Sequence, residues 1–492
     1  MRRRRPALIL AICCMSLFIV NMDATIVNVA LPSIGADLRA PISGLQWTID
    51  AYVVVLACFL LLAGSTADRI GRRRTFQMGL VLFVVGSVLC SLAPTLEWLV
   101  AARVVQALGG SMLNPVAMSI ITTVYSAPAA KAKAIGVWGA VAGLGMGLGP
   151  LVGGILIELV GWRAIFWVNL PIGLATVLAT ALFIPESRSG HPRRLDPVGQ
   201  VAMLALLGFA TFAIIEAPRQ GWLSVPTLGC LTLATVAALI LAFYEPRRMD
   251  PLIELRFFAS APFCGAVLVA ICAFGAYSGV LFLNTLYLQS VRGLTPLQAG
   301  FCTLPLALMM AIFSPVSGRL VAKYGPRPSL LSAGILLCAA GFGLWWVGAD
   351  TPLVWVLACL AVFGVGLGAV NAPITYTTVS GMPRSHAGVA AAVATTSRQI
   401  GTAFGVAIVG SVLNSRMEGP LPTAFVSASR PAVLVIAALG LAVLLIGLAT
   451  TGRWGQRTTR RVAHLFGDEL TETSARLSID SRPAKVEWYY QT

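Results

Sequence analysis

The chain has 492 residues, 57% of them hydrophobic and 11% charged, with a mean hydropathy of +0.84. A soluble domain is about one quarter charged, so water is excluded as the main solvent and a lipid bilayer is implied. The net charge of +16 would suggest nucleic acid in a soluble chain. Here the position of each charge along the chain matters more, and no nucleic-acid partner is expected.

A helix needs about 20 apolar residues to cross the hydrocarbon. Runs of that length predict spans near 7–31, 46–66, 75–94, 98–124, 134–160, 163–184 and 198–217. Seven more follow near 225–244, 262–288, 297–318, 328–348, 353–379, 387–414 and 431–451. The opening MRRRRP runs straight into the first span without a small-residue cleavage site, so no cleavable signal peptide is expected. Connections on the N-terminal side carry 27 Lys and Arg, against six on the other side (Arg39, Arg163, Arg219, Arg292, Arg416 and Arg430). Arg103 and Arg398 lie inside spans and complete the 35. By the positive-inside rule both termini are expected in the cytoplasm, in a multi-pass inner (plasma) membrane protein.

The first span carries a carboxylate, Asp23, in LFIVNMDATIVNVALP. It lies about sixteen residues into the helix, roughly 24 Å along and beyond the midplane. Intramembrane charge is costly and usually faces a bundle interior or a water-filled path. Desolvation raises a carboxylate's proton affinity and a nearby cation lowers it, so a cavity opening alternately to each side can load and unload such a group. The plainer reading is a structural carboxylate hydrogen-bonded to neighbouring helices. Asp50 begins the second span, and Glu216 and Glu158 sit similarly near the outer face. Interfacial carboxylates are often only solvated, and Asp50 is the best site candidate of the three.

After the second span comes GSTADRIGRRR, with Gly64, Asp68, Arg69, Gly71, Arg72 and Arg73. A carboxylate where a helix ends can bridge an arginine and a neighbouring helix N-terminus, closing the inner face. Positive-inside orientation alone would explain the arginines but not Asp68 or the glycine spacing. The fourth span holds Arg103 in LVAARVVQALGG, a guanidinium that needs a partner or water. The fifth holds GLGMGLGPLVGG, six glycines and Pro150 within twelve residues. Glycines such as Gly145, Gly149, Gly153 and Gly154 allow close helix approach, and proline can bend the helix.

The loop after the tenth span, GRLVAKYGPRP, repeats the earlier one at a shift of 254. Gly64 falls on Gly318, Arg69 on Lys323, Gly71 on Gly325 and Arg73 on Arg327, while Asp68 falls on Ala322. Repeated halves mark many secondary transporters. The expected units are a six-helix bundle over 1–190, a two-helix insert over 191–256, a second six-helix bundle over 257–452 and a polar tail over 453–492. Arg398 is mid-span in the thirteenth helix without an acidic partner in any later span, open to substrate contact or backbone bonding alike.

These motifs resemble the major facilitator superfamily. The GSTADRIGRRR loop is similar to its cytoplasmic loop between helices two and three, LVAARVVQALGG to its fourth-helix arginine motif, and GLGMGLGPLVGG to the fifth-helix motif of antiporters. MDATIVNVALP, WRAIFWVNLPIG, LYLQSVRGLTPLQAG and SRQIGTAFGVAIVG resemble its fourteen-helix drug:proton antiporter branch. The resemblance implies an all-α fold of two six-helix halves plus two inserted helices. It also implies proton-coupled export of amphiphilic drugs by alternating access, with Arg103 in proton transfer beside the first helix. An endogenous metabolite or lipid-like compound is the alternative cargo.

A membrane enzyme would need a nucleophile–base or metal cluster. The ten cysteines lie in apolar runs, and His191, His386 and His464 cannot assemble a metal site by spacing. A phosphate loop is absent from the sequence, which excludes an ATP-driven pump. A channel fits a twofold repeat with an off-centre carboxylate less well. No cofactor is expected, the proton gradient supplying the energy, and the protein is expected to be monomeric. Acids are missing from every span after Glu216. Asp23, with Asp50, would then be the negative contact in a pocket completed by apolar and aromatic side chains such as Tyr277, Phe282, Trp345 and Phe363. That composition favours neutral or singly charged amphiphiles over dications.

Overall fold

The computed structural model describes residues 6–125, 127–188, 196–248, 255–379 and 387–452, together with 455 and 458. The boundary near 190 and the tail over 459–492 lie outside the described residues. The chain is a helical bundle: α1 (Pro6–Asp37), α2 (Ile42–Ile70), α3 (Arg72–Ser91), α4 (Leu96–Val124), α5 (Pro128–Leu159), α6 (Ala164–Phe183) and α7 (Pro197–Gln220). It continues with α8 (Val225–Tyr244), α9 (Ala261–Leu286), α10 (Pro296–Tyr324), α11 (Pro326–Trp345), α12 (Leu353–Val379), α13 (Ala387–Ser415) and α14 (Leu421–Thr450). Among the described residues, thirteen helices are long and apolar enough to cross a membrane. The fourteenth, α13, is 29 residues long but carries TTSRQ, Thr395 to Gln399, at its middle. It is shielded by packing against α2, α7, α9 and α14.

Local chemistry sets the breaks. Thr95 caps α4 by accepting from the Trp98 amide, Ser224 caps α8, and Thr295 with Gln298 forms a reciprocal capping box on α10. Gly71 ends α2 at φ +119°, a backbone region that side chains disfavour. A side chain there would also meet the Glu186 carboxylate.

Successive helices run antiparallel, so the bundle has a near end, where α1 begins, and a far end. In the first half α1 lies on α5, α2 on α4, and α3 on α4 and α6. In the second, α9 lies on α13 and α14, α10 on α12, and α11 on α12 and α14. The halves meet along α2–α13 and α5–α10. At the far end Gln46 donates to the carbonyls of Val406 and Ala407 at 3.1 and 2.9 Å, and Gln289 to that of Val29 at 2.8 Å. Gly154 and Gly300 bring α5 and α10 together there, where any side chain would strike the opposite backbone. Toward the near end the contrast is sharp: a Cβ at Gly64, Gly143 or Gly318 would meet nothing within 4 Å. The protein is sealed at its far end.

The inserted pair α7–α8 lies over the α2–α13 seam. Helix α7 is bonded to α2 by Gln200 Nε2 to the Cys58 carbonyl (2.9 Å) and by Trp47 Nε1 to Glu216 (3.1 Å). Helix α8 is apolar on nearly every side and mostly exposed, as a helix solvated by lipid can be.

Two expectations need correction. Asp50 is not a solvated interfacial group: its carboxylate is fully buried, because α2 begins well before the hydrophobic run that marks it. Tyr277, Phe282 and Phe363 do not line an open pocket but are packed core side chains, with Phe282 and Phe363 entirely buried and Trp345 half-buried.

Candidate functional site

Asp23 lies in the far half of α1, wholly buried among α1, α4 and α6. Its Oδ2 accepts from Arg103 Nη1 at 2.5 Å, while its Oδ1 accepts from Gln106 Nε2 at 2.8 Å and Asn169 Nδ2 at 2.9 Å. The carboxylate is thus caged by three donors. Arg103 and Gln106 are one turn apart on α4, so both reach the same group. Asn169 is delivered by a one-residue break at Val168 that divides α6.

The cation is equally enclosed. Arg103 is 1% exposed and donates also to Gln106 Oε1 (2.7 Å) and the Thr48 carbonyl (3.2 Å). Its guanidinium stands 4.1 Å from the centre of the Tyr52 ring. Ser87 of α3 accepts from Asn169 at 3.0 Å and donates to the Phe166 carbonyl at 2.9 Å. A buried ion pair survives desolvation only when the remaining donors and acceptors are satisfied, and here nearly all are. Asp23 and Arg103, predicted separately, are one unit. Gln106, Asn169, Tyr52 and Ser87 were missed; the signal for Gln106 was its spacing from Arg103, and for Asn169 its place before Pro171.

Asp50 contrasts with Asp23. Both its carboxylate oxygens are buried and have no hydrogen-bond partner. It lies one turn along α2 from Gln46, on the face that meets α13. Arg398 stands on α13 nearer the opposite end, donating to Thr375 Oγ1 at 2.9 Å, with its guanidinium 5.7 Å from the Phe274 ring centre. It does not join the Asp23 cluster.

The near-end loop is organised by a residue that sequence reasoning passed over. Glu186, just after α6, accepts from the Arg73 amide at 3.1 Å and lies 3.8 Å from Arg74 Nε, at the N-terminus of α3. Asp68 pairs with Arg72 at 3.5 Å, one turn on, and Arg72 also donates to Thr123. Arg69 is exposed beside them. The fifth-helix glycines divide their work. Gly145, Gly149 and Gly153 press on α1 at Phe18, Thr25 and Ile26, while Gly154 presses on Leu297 of α10 and the Pro150 carbonyl faces Gly300. Thr25 donates across to the Met146 carbonyl at 3.1 Å.

Two related bundles sealed together at one end, one of them holding a buried acid–base pair, define a secondary transporter. The chain belongs to the Major Facilitator Superfamily, whose pattern matches residues 13–406. It is a multi-pass membrane transporter and not an enzyme. It is 35% identical over 407 residues to multidrug resistance protein Stp of Mycobacterium tuberculosis, covering 83% of this chain and 76% of that one. It is 34% identical to the tetracenomycin C resistance and export protein of Streptomyces glaucescens, covering 88% and 80%. The methylenomycin A resistance protein of Streptomyces coelicolor is also 34% identical, with 87% and 88% covered. The fold is like that of a bacterial homolog to the human lysosomal transporter Spinster in an inward-facing, unoccupied conformation (TM-score 0.66, 17% identity, 94% and 99% covered). It is also like that of a D-xylose-proton symporter (TM-score 0.62, 14% identity, 89% and 96% covered).

Proposed function

We propose that this protein exports amphiphilic drugs or antibiotics in exchange for protons, by alternating access, and needs no cofactor. The observation that carries the coupling is the buried Asp23–Arg103 pair. A proton arriving on Asp23 cancels its charge, and Arg103 then loses the anion it is bonded to. That change strains α1 against α4 and, through the glycine contacts, against α5. Release of the proton restores the pair. Asp50 is the second candidate carrier, since a charged carboxylate there would have no donor to offset its desolvation.

The near end is assigned to the cytoplasm of a bacterial inner membrane by the 27-to-6 division of basic residues. The Asp68–Arg72 corner pairs within the first half here, and its proposed role is to close the inner face in the opposite state. Relatives named for resistance to multiple drugs, tetracenomycin C and methylenomycin A support export over uptake. The lack of acids in spans after Glu216 favours neutral or singly charged cargo. The working unit is a monomer, each chain holding its own ion pair.

Proton-driven export by Asp23→Asn in reconstituted vesicles tests the coupling. The substitution keeps the shape and one accepting oxygen but removes the charge and the second acceptor. Transport should vanish while the protein still runs as a monodisperse species. Wild-type rate and pH dependence would falsify the role.

A further inference from the structure

A cleft at the far end of the second half lies among α9, α11, α12 and α14. It is lined by residues including Val280, Asn284, Val356, Phe425, Ser429 and Val433, and it is a partly open cleft rather than an enclosed cavity. None of its lining residues belongs to the Asp23 cluster. Its lining is apolar apart from three groups. The Tyr287 hydroxyl donates to the Gly348 carbonyl at 2.8 Å, and the Ser429 hydroxyl to the Val426 carbonyl at 3.1 Å.

The third group is unmatched. Asn284 is only 7% exposed, yet its Nδ2 has no acceptor. Leaving a buried amide donor unpaired costs free energy that a folded protein ordinarily avoids. Directly after Asn284 and Thr285, α9 runs into a π turn over Tyr287–Val291. Such turns widen a helix and recur at functional sites. Trp346 and Leu434, chain neighbours of the lining residues Val347 and Val433, are exposed, so the cleft lies near the surface of the bundle.

We propose that this cleft is a second binding site, for a neutral amphiphile whose apolar body fills it and whose ester or amide carbonyl accepts from Asn284 Nδ2. No acidic side chain lines the cleft, and the Arg292 guanidinium beside it is engaged by the Tyr287 hydroxyl and the Thr351 carbonyl, so an ion gains no free counter-charge there. A water would satisfy Asn284 but leave the apolar walls around it without contact. A carbonyl on a hydrocarbon body meets both requirements. Two sources share this chemistry, the ester-linked chain of a membrane lipid and a carried compound.

The test labels the full-length purified protein with a diazirine-bearing monoacylglycerol, and with a diazirine-bearing alkane of the same length. The ester probe should mark peptides of α9 and α14. Asn284→Leu should lower that labelling about fivefold, the worth of one net hydrogen bond, and leave the alkane unchanged. Val433→Trp, which fills the cleft, should remove both. Protection by added phospholipid assigns the lipid source, and protection by a neutral exported antibiotic assigns the carried one. Ester labelling equal in wild type and Asn284→Leu, or labels found only elsewhere, would overturn the site. Should Val433→Trp fail to fold, the Asn284→Leu comparison decides alone.

Discussion

The two halves solve one packing problem in opposite ways. In the first, Trp98 near the start of α4 donates its indole N–H to the Leu89 carbonyl of α3 at 3.0 Å. In the second, Trp355 near the start of α12 donates to the Gly343 carbonyl of α11 at 2.9 Å. Counting five residues onward from each tryptophan reaches Arg103 in one half and Leu360 in the other; eight residues onward reaches Gln106 and Phe363. All four side chains are buried. The same scaffold therefore holds a caged ion pair on one side and hydrocarbon on the other. A repeated fold needs a filled core in each half but a titratable one in only one, and the asymmetry concentrates the chemistry in α1, α4 and α6.

The largest test of this contrast breaks the pair. Arg103→Met should cost about 3–5 kcal/mol, because it leaves Asp23 buried without its cation. The double variant Arg103→Met with Asp23→Asn should recover much of that loss, read as thermal unfolding in detergent, while transport stays absent. Equal stability of the single and double variants would mean that the two residues are not energetically coupled.

The converse substitution sharpens the comparison. Leu360→Arg puts a guanidinium at the matching place in the second half, where no acid lies in the helices. It should cost about 3 kcal/mol or prevent insertion, whereas Leu360→Met should change stability by less than about 1.5 kcal/mol. A well-folded, stable Leu360→Arg protein would show that the second half can house a charge after all.

A smaller effect is expected where the halves touch. Gln46→Leu removes the two bonds from α2 to the α13 carbonyls, worth about 1–2 kcal/mol together. The far end should open more often, so a cysteine in place of the buried Ser411, next to Gly410 on α13, should react faster with a membrane-impermeant thiol reagent added outside. Unchanged reactivity would remove Gln46 from the closure.

Most of the architecture was legible because lipid imposes a length and apolarity rule that few soluble sequences satisfy, and the basic residues then number the crossings. Asp23 and Arg103 were legible for the same reason, as charges where charge is expensive. Their partnership was not, because they are 80 positions apart and only folding brings α1 to α4. Gln106, Asn169 and Tyr52 are ordinary in a polar or half-polar helix, and only the folded chain turns Gln106 and Asn169 toward the carboxylate and Tyr52 toward its cation. Asp50 was misjudged because its span was begun four residues late, which moved it to the surface. The polar middle of α13 shows a related limit: Arg398 could be seen, but not the ring of Phe274 or the hydroxyl of Thr375 that attend it.

The attachment of α7 has a consequence for the moving parts. It is bonded to α2 at both Gln200 and Trp47, yet among the described residues it meets α13 through packing alone. A helix riveted to one wall and merely resting on the other works as a draught-strip along a door. When α13 swings away from α2, α7 travels with the wall it is fastened to and still covers the widening gap. Such a strip would keep acyl chains out of the opening on that flank, whereas α5 and α10 meet with no inserted helix over them.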